Sequence, residues 1–300
     1  MVYILGGISL DFIFTKDKFT RGTSNPSSFT YRIGGVGYNI FKSIDIKEKI
    51  FITTIGNDIF GKIILDSFSD KKTGKIIAED IENIKNLKIN NSNQILFIKS
   101  NEFPTSIYNV LMESGNCYIA TADFRIIEKN LIFKNIPFFF DKIGENDLSV
   151  IDSNIEPSEL EKIILELTKK RCKIFFETIS FEKAKRVKNI LKNIYFTSPD
   201  IYEYNALIEN EKSVFDYMDK QNIEYILRTE GPKGSTLFRR SDKSIRFYKN
   251  EKELKVKDTT GAGDFLFSKI VQLFFEGYSI EEAIGLASKK VIQYLIDLNN

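Results

Sequence analysis

The chain reads as an α/β protein: a doubly wound, mainly parallel sheet flanked by helices, with a small β-sheet lid. Three observations carry that expectation. Short apolar, β-rich runs alternate with amphipathic helical patterns through most of the 300 residues, as parallel βαβ units do. Glycine clusters at Gly6-Gly7 and at Gly261-Ala262-Gly263 stand where strand-like and helix-like segments meet, at the sheet edge where such folds bind ligands. Two turn-rich, strand-like stretches, about 12–33 and 94–122, interrupt the alternation. Residues 1–300 are expected to form one domain, with those two stretches making a small antiparallel lid over its site.

Taken in order, Met1 to Gly7 begins with a short buried strand; it has no basic leader and too short an apolar run for a signal peptide. Phe12, Ile13 and Phe14 precede turn signals at Gly22, Asn25 and Pro26, and Phe29 to Arg32 resumes a strand. Residues 94–98, 106–111 and 117–120 read as further lid strands, the last two joined by a turn at Glu113-Ser114-Gly115-Asn116. A helix over 158–170 is expected to open with a capping box of Ser158 and Glu161 and to close on the solvated charges Lys169, Lys170 and Arg171. Strands follow at 173–178, 194–197 and 223–229. Ser279 and Glu282 make a second box, opening a C-terminal helix that runs through Ile284, Ala287, Val291 and Leu295.

Composition excludes several functions. A net charge of +2 is too small for a dedicated nucleic-acid or membrane-surface binder. No histidine is present, which removes Ser-His-Asp and Cys-His catalysis and His-ligated zinc. Cys117 and Cys172 are far apart and in no metal-ligand spacing, as expected of reduced thiols in a cytoplasmic protein. No segment approaches the roughly 20 uninterrupted apolar residues of a membrane span.

Asp258-Thr259-Thr260-Gly261-Ala262-Gly263-Asp264, followed by an apolar helical run, is the most informative stretch. Small residues let successive N–H groups point at one spot, and the helix they open favours an anion there. Asp264 adds a carboxylate in the same turn. A base beside an anion cradle is what phosphoryl transfer to a hydroxyl requires. A side chain at Gly263 is expected to obstruct a phosphate and to demand a backbone angle reserved for glycine. Gly34-Gly35-Val36-Gly37-Tyr38-Asn39 lacks the third glycine of a dinucleotide fingerprint, yet Asn39 and Asp11 suit sugar hydroxyls. Gly56 to Lys62 fills seven places of a P-loop, but Ile63 stands where the magnesium-binding hydroxyl belongs.

In their order, Gly34-Gly35 with Asn39, Gly56-Asn57-Asp58 with Gly61, and Asp258 to Asp264 resemble the ribokinase-like, PfkB-type carbohydrate and nucleoside kinases over essentially the whole chain. The resemblance implies ATP and magnesium as cofactors, Asp264 as base, and the Gly261, Ala262 and Gly263 amides as the anion hole. It makes Gly56 to Lys62 a turn. Ser198-Pro199-Asp200-Ile201-Tyr202-Glu203 resembles the family's Pro-Asn-x-x-Glu segment, associated with magnesium and phosphates, with Asp200 in place of Asn. Thr229, Gly231 and Gly234 resemble the nucleotide-side loop, and Asp258 and Thr260 resemble positions that bind a monovalent cation such as K+ in some members.

Thr105-Ser106-Ile107-Tyr108, Asp123-Phe124, Asp152-Ser153-Asn154 and Ile179-Ser180 with Lys183 are similar, in that order, to the pseudouridine kinase branch. The expected reaction is ATP-dependent phosphorylation of a primary hydroxyl, the 5′-hydroxyl of pseudouridine above others. Asp11, Gly34, Gly35 and Asn39 would hold the sugar, and Ser106 and Asp123 the base or sugar. A ribokinase- or fructokinase-like sugar kinase and a catalytically silent, ligand-sensing relative are the alternatives. A homodimer through the lid, and no nucleic-acid or membrane partner, complete the expectations.

Overall fold

The computed structural model describes residues 1–68, 73–78, 93–129, 137–250 and 259–299. The strands among them are β1 (Val2–Leu5), β2 (Ser9–Lys16), β3 (Ser28–Gly34), β4 (Lys49–Gly56), β5 (Gly74–Ala78), β6 (Gln94–Ser100), β7 (Ile107–Glu113), β8 (Asn116–Asp123), β9 (Leu148–Asp152), β10 (Lys173–Glu177), β11 (Phe196–Thr197), β12 (Tyr225–Thr229), β13 (Ser235–Arg239) and β14 (Ile245–Tyr248). The α-helices are α1 (Val36–Ser43), α2 (Ile59–Ser67), α3 (Arg125–Lys129), α4 (Pro157–Lys169), α5 (Phe181–Val187), α6 (Ile201–Leu207), α7 (Val214–Gln221), α8 (Ala262–Phe275) and α9 (Ile280–Asn299).

Ten strands form one sheet in the order β14-β13-β12-β11-β10-β9-β1-β4-β6-β5, parallel except for the antiparallel β12-β13-β14 edge. Its central strands are near-continuous apolar runs because both faces are covered. Tyr3 and Leu5 enter one core while Val2 and Ile4 enter the other, so alternate residues of one strand serve opposite layers. The chain winds outward from β1 to β4, then returns through β9 on the other side of β1. That reversal leaves a crevice beyond the carboxyl ends of β1 and β9, where Gly6-Gly7 and Asp152 to Asn154 lie.

The second sheet has the order β3-β2-β7-β8. Two expectations are corrected there. β6 pairs in parallel with β4 and β5 in the large sheet, so 94–100 is not part of the small one. Its unbroken apolar run fits a strand buried on both faces, which the small sheet does not offer. The small sheet is also mixed rather than antiparallel, since β2 and β7 run parallel.

Helix α4 starts one residue before the proposed box: Glu156 caps it, accepting from the Ser158 and Glu159 amides, with Pro157 in its first turn. Pro is preorganised for that position, and it moves the cap to the residue before it. At α9 the expected reciprocal bonds of Ser279 and Glu282 are present. Both cysteines are free thiols. Among the described residues no helix is long and apolar enough to cross a membrane.

Candidate active site

The site begins at the N-terminus of α8. Gly261 caps it at φ 77°, a left-handed angle that glycine adopts without strain. Gly263 has no such angle and faces open space, so the demand for glycine geometry belongs to 261, not 263. Asp264 lies in the first turn and accepts a 2.9 Å hydrogen bond from Asn39 Nδ2. Withdrawal from water pushes its carboxyl up to about 6; the Asn39 bond opposes the rise and the Asp152 charge adds to it. A carboxyl at that value is close to the ideal for a base working near neutrality.

Asn39 comes from α1, whose entry is built by close backbone approach. Gly35 caps α1 at φ 94°, and a Cβ there would stand 2.6 Å from the Gly7 carbonyl oxygen. A Cβ on Gly34 would meet Asp11 Oδ2 at 2.0 Å. Asp11 is buried, accepts from Ser9 Oγ at 2.7 Å and faces Arg32 Nε at 3.6 Å. Burial raises its pKa, while Ser9 and Arg32 work in the opposite direction. Asp11, Gly34, Gly35, Asn39 and Asp264 are thus joined through one short stretch of chain.

Beside this floor lies a buried polar cluster. Asp152 Oδ2 accepts from the Gly7 amide at 2.9 Å and the Gly37 amide at 3.1 Å, and its Oδ1 from the Asn154 amide at 3.0 Å. Lys183 Nζ donates to Asn154 Oδ1 and stands 5.0 Å over the Phe124 ring. A Cβ on Gly7 would reach 2.9 Å from Asn154 Nδ2 and 3.4 Å from Phe124. Phe124, Asn154 and Lys183, distant in the chain, therefore meet at the end of β1.

On the other side of α8 opens a cleft of about 640 Å³, within the range of small-molecule sites. Asp200, Thr229, Gly231, Gly234, Thr259, Ala262 and Gly263 line it, as do Val291, Ile292 and Leu295 of α9. The apolar wall from α9 escapes sequence reasoning, because spaced apolar residues on a helix look the same whether they face a core or a ligand.

Asp200 has a definite local role. Its Oδ1 accepts from the Tyr202 and Glu203 amides, and Glu203 Oε2 accepts from the Asp200 amide at 3.0 Å, a full capping box for α6. Glu203 Oε2 also accepts from Thr178 Oγ1 at 2.7 Å. Glu177, which sequence reasoning missed, is buried at the end of β10. Burial raises its pKa well above the usual carboxylate range, and the charges of Glu203, Asp264 and Asp152 reinforce the rise. Among the described residues no three Asp, Glu, Cys or His side chains make a metal cage. Glu203, bonded to the amide of the cleft residue Asp200, and Glu177 repel each other, and such a pair nonetheless suits magnesium, which takes one or two carboxylates and fills its shell with phosphates and water.

Ser106 adjoins the floor, its carbonyl accepting from the Leu10 amide at 3.0 Å, and the remaining expected residues are engaged by their own neighbours. Ser106 is buried, its Oγ without a hydrogen-bond partner. Asp123 is held by Arg125, whose Nη2 lies 2.6 Å from its Oδ2, so its carboxylate is already paired. In the Gly56 to Lys62 turn, Asp58 caps α2 and accepts from the Gly61 and Thr105 amides, both at 2.8 Å. A carboxylate where a phosphate would sit excludes a P-loop. The Thr260 carbonyl accepts from Tyr294 Oη at 3.2 Å, while Asp258 lies outside the described residues.

Residues 1–290 match the pfkB family of carbohydrate kinases, and the chain belongs to that family. Guanosine-inosine kinase of Exiguobacterium acetylicum is 22% identical over 291 residues, covering 93% of this chain and 89% of that protein. Among solved structures, a carbohydrate kinase from Agrobacterium tumefaciens superposes with a TM-score of 0.74 at 20% identity, covering 97% of this chain and 89% of the other. Arabidopsis thaliana ribokinase complexed with ribose and ATP gives a TM-score of 0.74 at 18% identity, covering 97% and 90%. These likenesses show the ribokinase-like fold.

Proposed function

We propose that the protein transfers the γ-phosphoryl group of ATP to the 5′-hydroxyl of a nucleoside, with pseudouridine the favoured acceptor. The carrying observation is the place of Asp264. It is bonded to Asn39 of the glycine floor on one side and follows Ala262 and Gly263 of the cleft on the other. ATP fits the cleft, its base against Val291, Ile292 and Leu295 and its phosphates toward the N-terminus of α8. Thr229, Gly231 and Gly234 bound the same cleft. Asp11, Gly34, Gly35 and Asn39 hold the sugar.

In the reaction, Asp264 accepts the proton of the acceptor hydroxyl as its oxygen bonds to the γ-phosphorus and ADP leaves. The amides of Gly261, Ala262 and Gly263 receive the charge that spreads over the transferred group. Glu203, bonded to the Asp200 amide, and Glu177, which feels its charge, would hold magnesium, which would neutralise phosphate charge there.

The base reading rests on Phe124, Asn154 and Lys183, an aromatic face with an amide and an ammonium beside it. The similarity to a guanosine-inosine kinase supports a nucleoside acceptor. A ribokinase- or fructokinase-like sugar kinase is the second reading, favoured by Asp123, whose carboxylate is paired with Arg125 and presents no free group to a base. An ADP-release comparison of pseudouridine, uridine, guanosine, inosine, ribose and fructose decides between them. Pseudouridine should exceed ribose and fructose in kcat/KM by about 10²-fold or more, because buried polar groups left unmatched discriminate strongly. A sugar as the better acceptor overturns the nucleoside reading and leaves the kinase reading standing.

The lid supports a further part of this reading, a homodimer. β3 and β8 are exposed along most of their length, and Phe29 (49%), Tyr31 (60%), Tyr118 (41%) and Ile119 (52%) stand open on the same small sheet. A sheet with apolar residues in solvent needs a second layer.

A further inference from the structure

We propose that Tyr294 positions the anion loop, and that its hydroxyl does the work a monovalent cation would otherwise do at the Thr260 carbonyl. The inference rests on the kinase reading. Tyr294 Oη donates to the Thr260 carbonyl at 3.2 Å. Its ring stacks on Phe265, with centroids 4.4 Å apart and planes 14° from parallel. A Cβ on Gly261 would stand 3.1 Å from the same hydroxyl. Two contacts from one side chain thus bracket the left-handed turn that aims the amides of 261–263, one before it and one after it, and the hydroxyl stands where a side chain at 261 would reach.

The helix that carries Tyr294 also carries Val291, Ile292 and Leu295 of the cleft wall. The seat of the nucleotide and the orientation of the anion loop therefore share one rigid element. A peptide carbonyl can be held by a cation or by a hydroxyl donor. The family resemblance leads to a cation at Asp258 and Thr260, yet here the Thr260 carbonyl is already oriented by the chain itself. The hydroxyl supplies a hydrogen bond without recruiting an ion, so the loop needs no monovalent cation to keep its shape.

Tyr294→Phe keeps the ring stack and removes only the hydroxyl. Turnover is measured in potassium buffer and in a buffer whose only monovalent cation is tetramethylammonium. Amide exchange over 259–264 is followed in parallel without acceptor. The wild-type rate should agree between the two buffers to within about twofold. Tyr294→Phe should lower kcat about tenfold, the value of one hydrogen bond, leave KM for ATP nearly unchanged, and regain rate with potassium. Its 259–264 amides should exchange faster. A wild type that loses most of its rate without potassium, or a variant with unchanged kcat, overturns the proposal. A wild type inactive with every acceptor removes the kinase reading, and exchange then decides the anchor alone: faster exchange supports it and equal exchange refutes it.

Discussion

Asp264 and Asn39 form the smallest unit of the account. The Asn39 amide donates to the ionised carboxylate and so favours it, against burial and the Asp152 charge. As the base must be ionised, turnover should rise with pH through about 6. Asn39→Ala removes the one contact that lowers the value, so the acidic limb of the kcat profile should move to higher pH; an unmoved limb would separate the two residues. The same burial has a cost in stability. A carboxyl whose folded pKa lies above its unfolded value stabilises the fold below the unfolded value and loses that contribution as pH rises through the folded one. Asp264→Asn should therefore melt above the wild type at pH 8 and gain nothing at pH 4, as read by thermal denaturation at both. Equal melting points at pH 8 would show that the carboxylate is not held against burial.

At the scale of elements, two helix N-termini with similar glycine-rich sequences have opposite fates. α2 is closed by its own Asp58, while α8 begins with Gly261 and leaves its amides without a side-chain cap. Asp58→Ala should cost about 1–2 kcal/mol of stability in urea, as loss of an N-cap does, with nucleotide affinity unchanged. Loss of nucleotide binding at unaltered stability would contradict the turn reading. Gly263 faces open space on the cleft wall, so Gly263→Val should keep its circular dichroism and melting point and lose ATP turnover. Unfolding of that variant would give Gly263 a packing role instead. The sequence made the α8 loop legible because small residues, a carboxylate and an apolar run rarely coincide. It left Glu177 hidden at the end of an apolar strand. It could not show that Arg125, two residues on, takes the Asp123 carboxylate, since such a pairing depends on how β8 ends.

Across the whole molecule, the glycine floor at the winding reversal of β1 and β9 and the cleft lined by Ala262 and Gly263 lie on either side of the N-terminus of α8. The alternation of strands and helices was enough to read a mainly parallel, doubly wound sheet, and the glycine motifs marked its ligand edge. The place of β6 was not legible, because an apolar run has the same appearance in either sheet. If the lid pairs two copies, Tyr31→Glu should convert a dimer to a monomer in sedimentation velocity; a monomeric wild type would remove the dimer. The central claim is that Asp264 takes the acceptor's proton at the junction of the two sites, and the rate of γ-phosphoryl transfer by Asp264→Asn tests it most directly. With ATP, magnesium and the best acceptor, that rate should fall about 10²–10⁴-fold, while ATP affinity by calorimetry stays close to that of the wild type. Transfer at a rate comparable to the wild type would contradict the account.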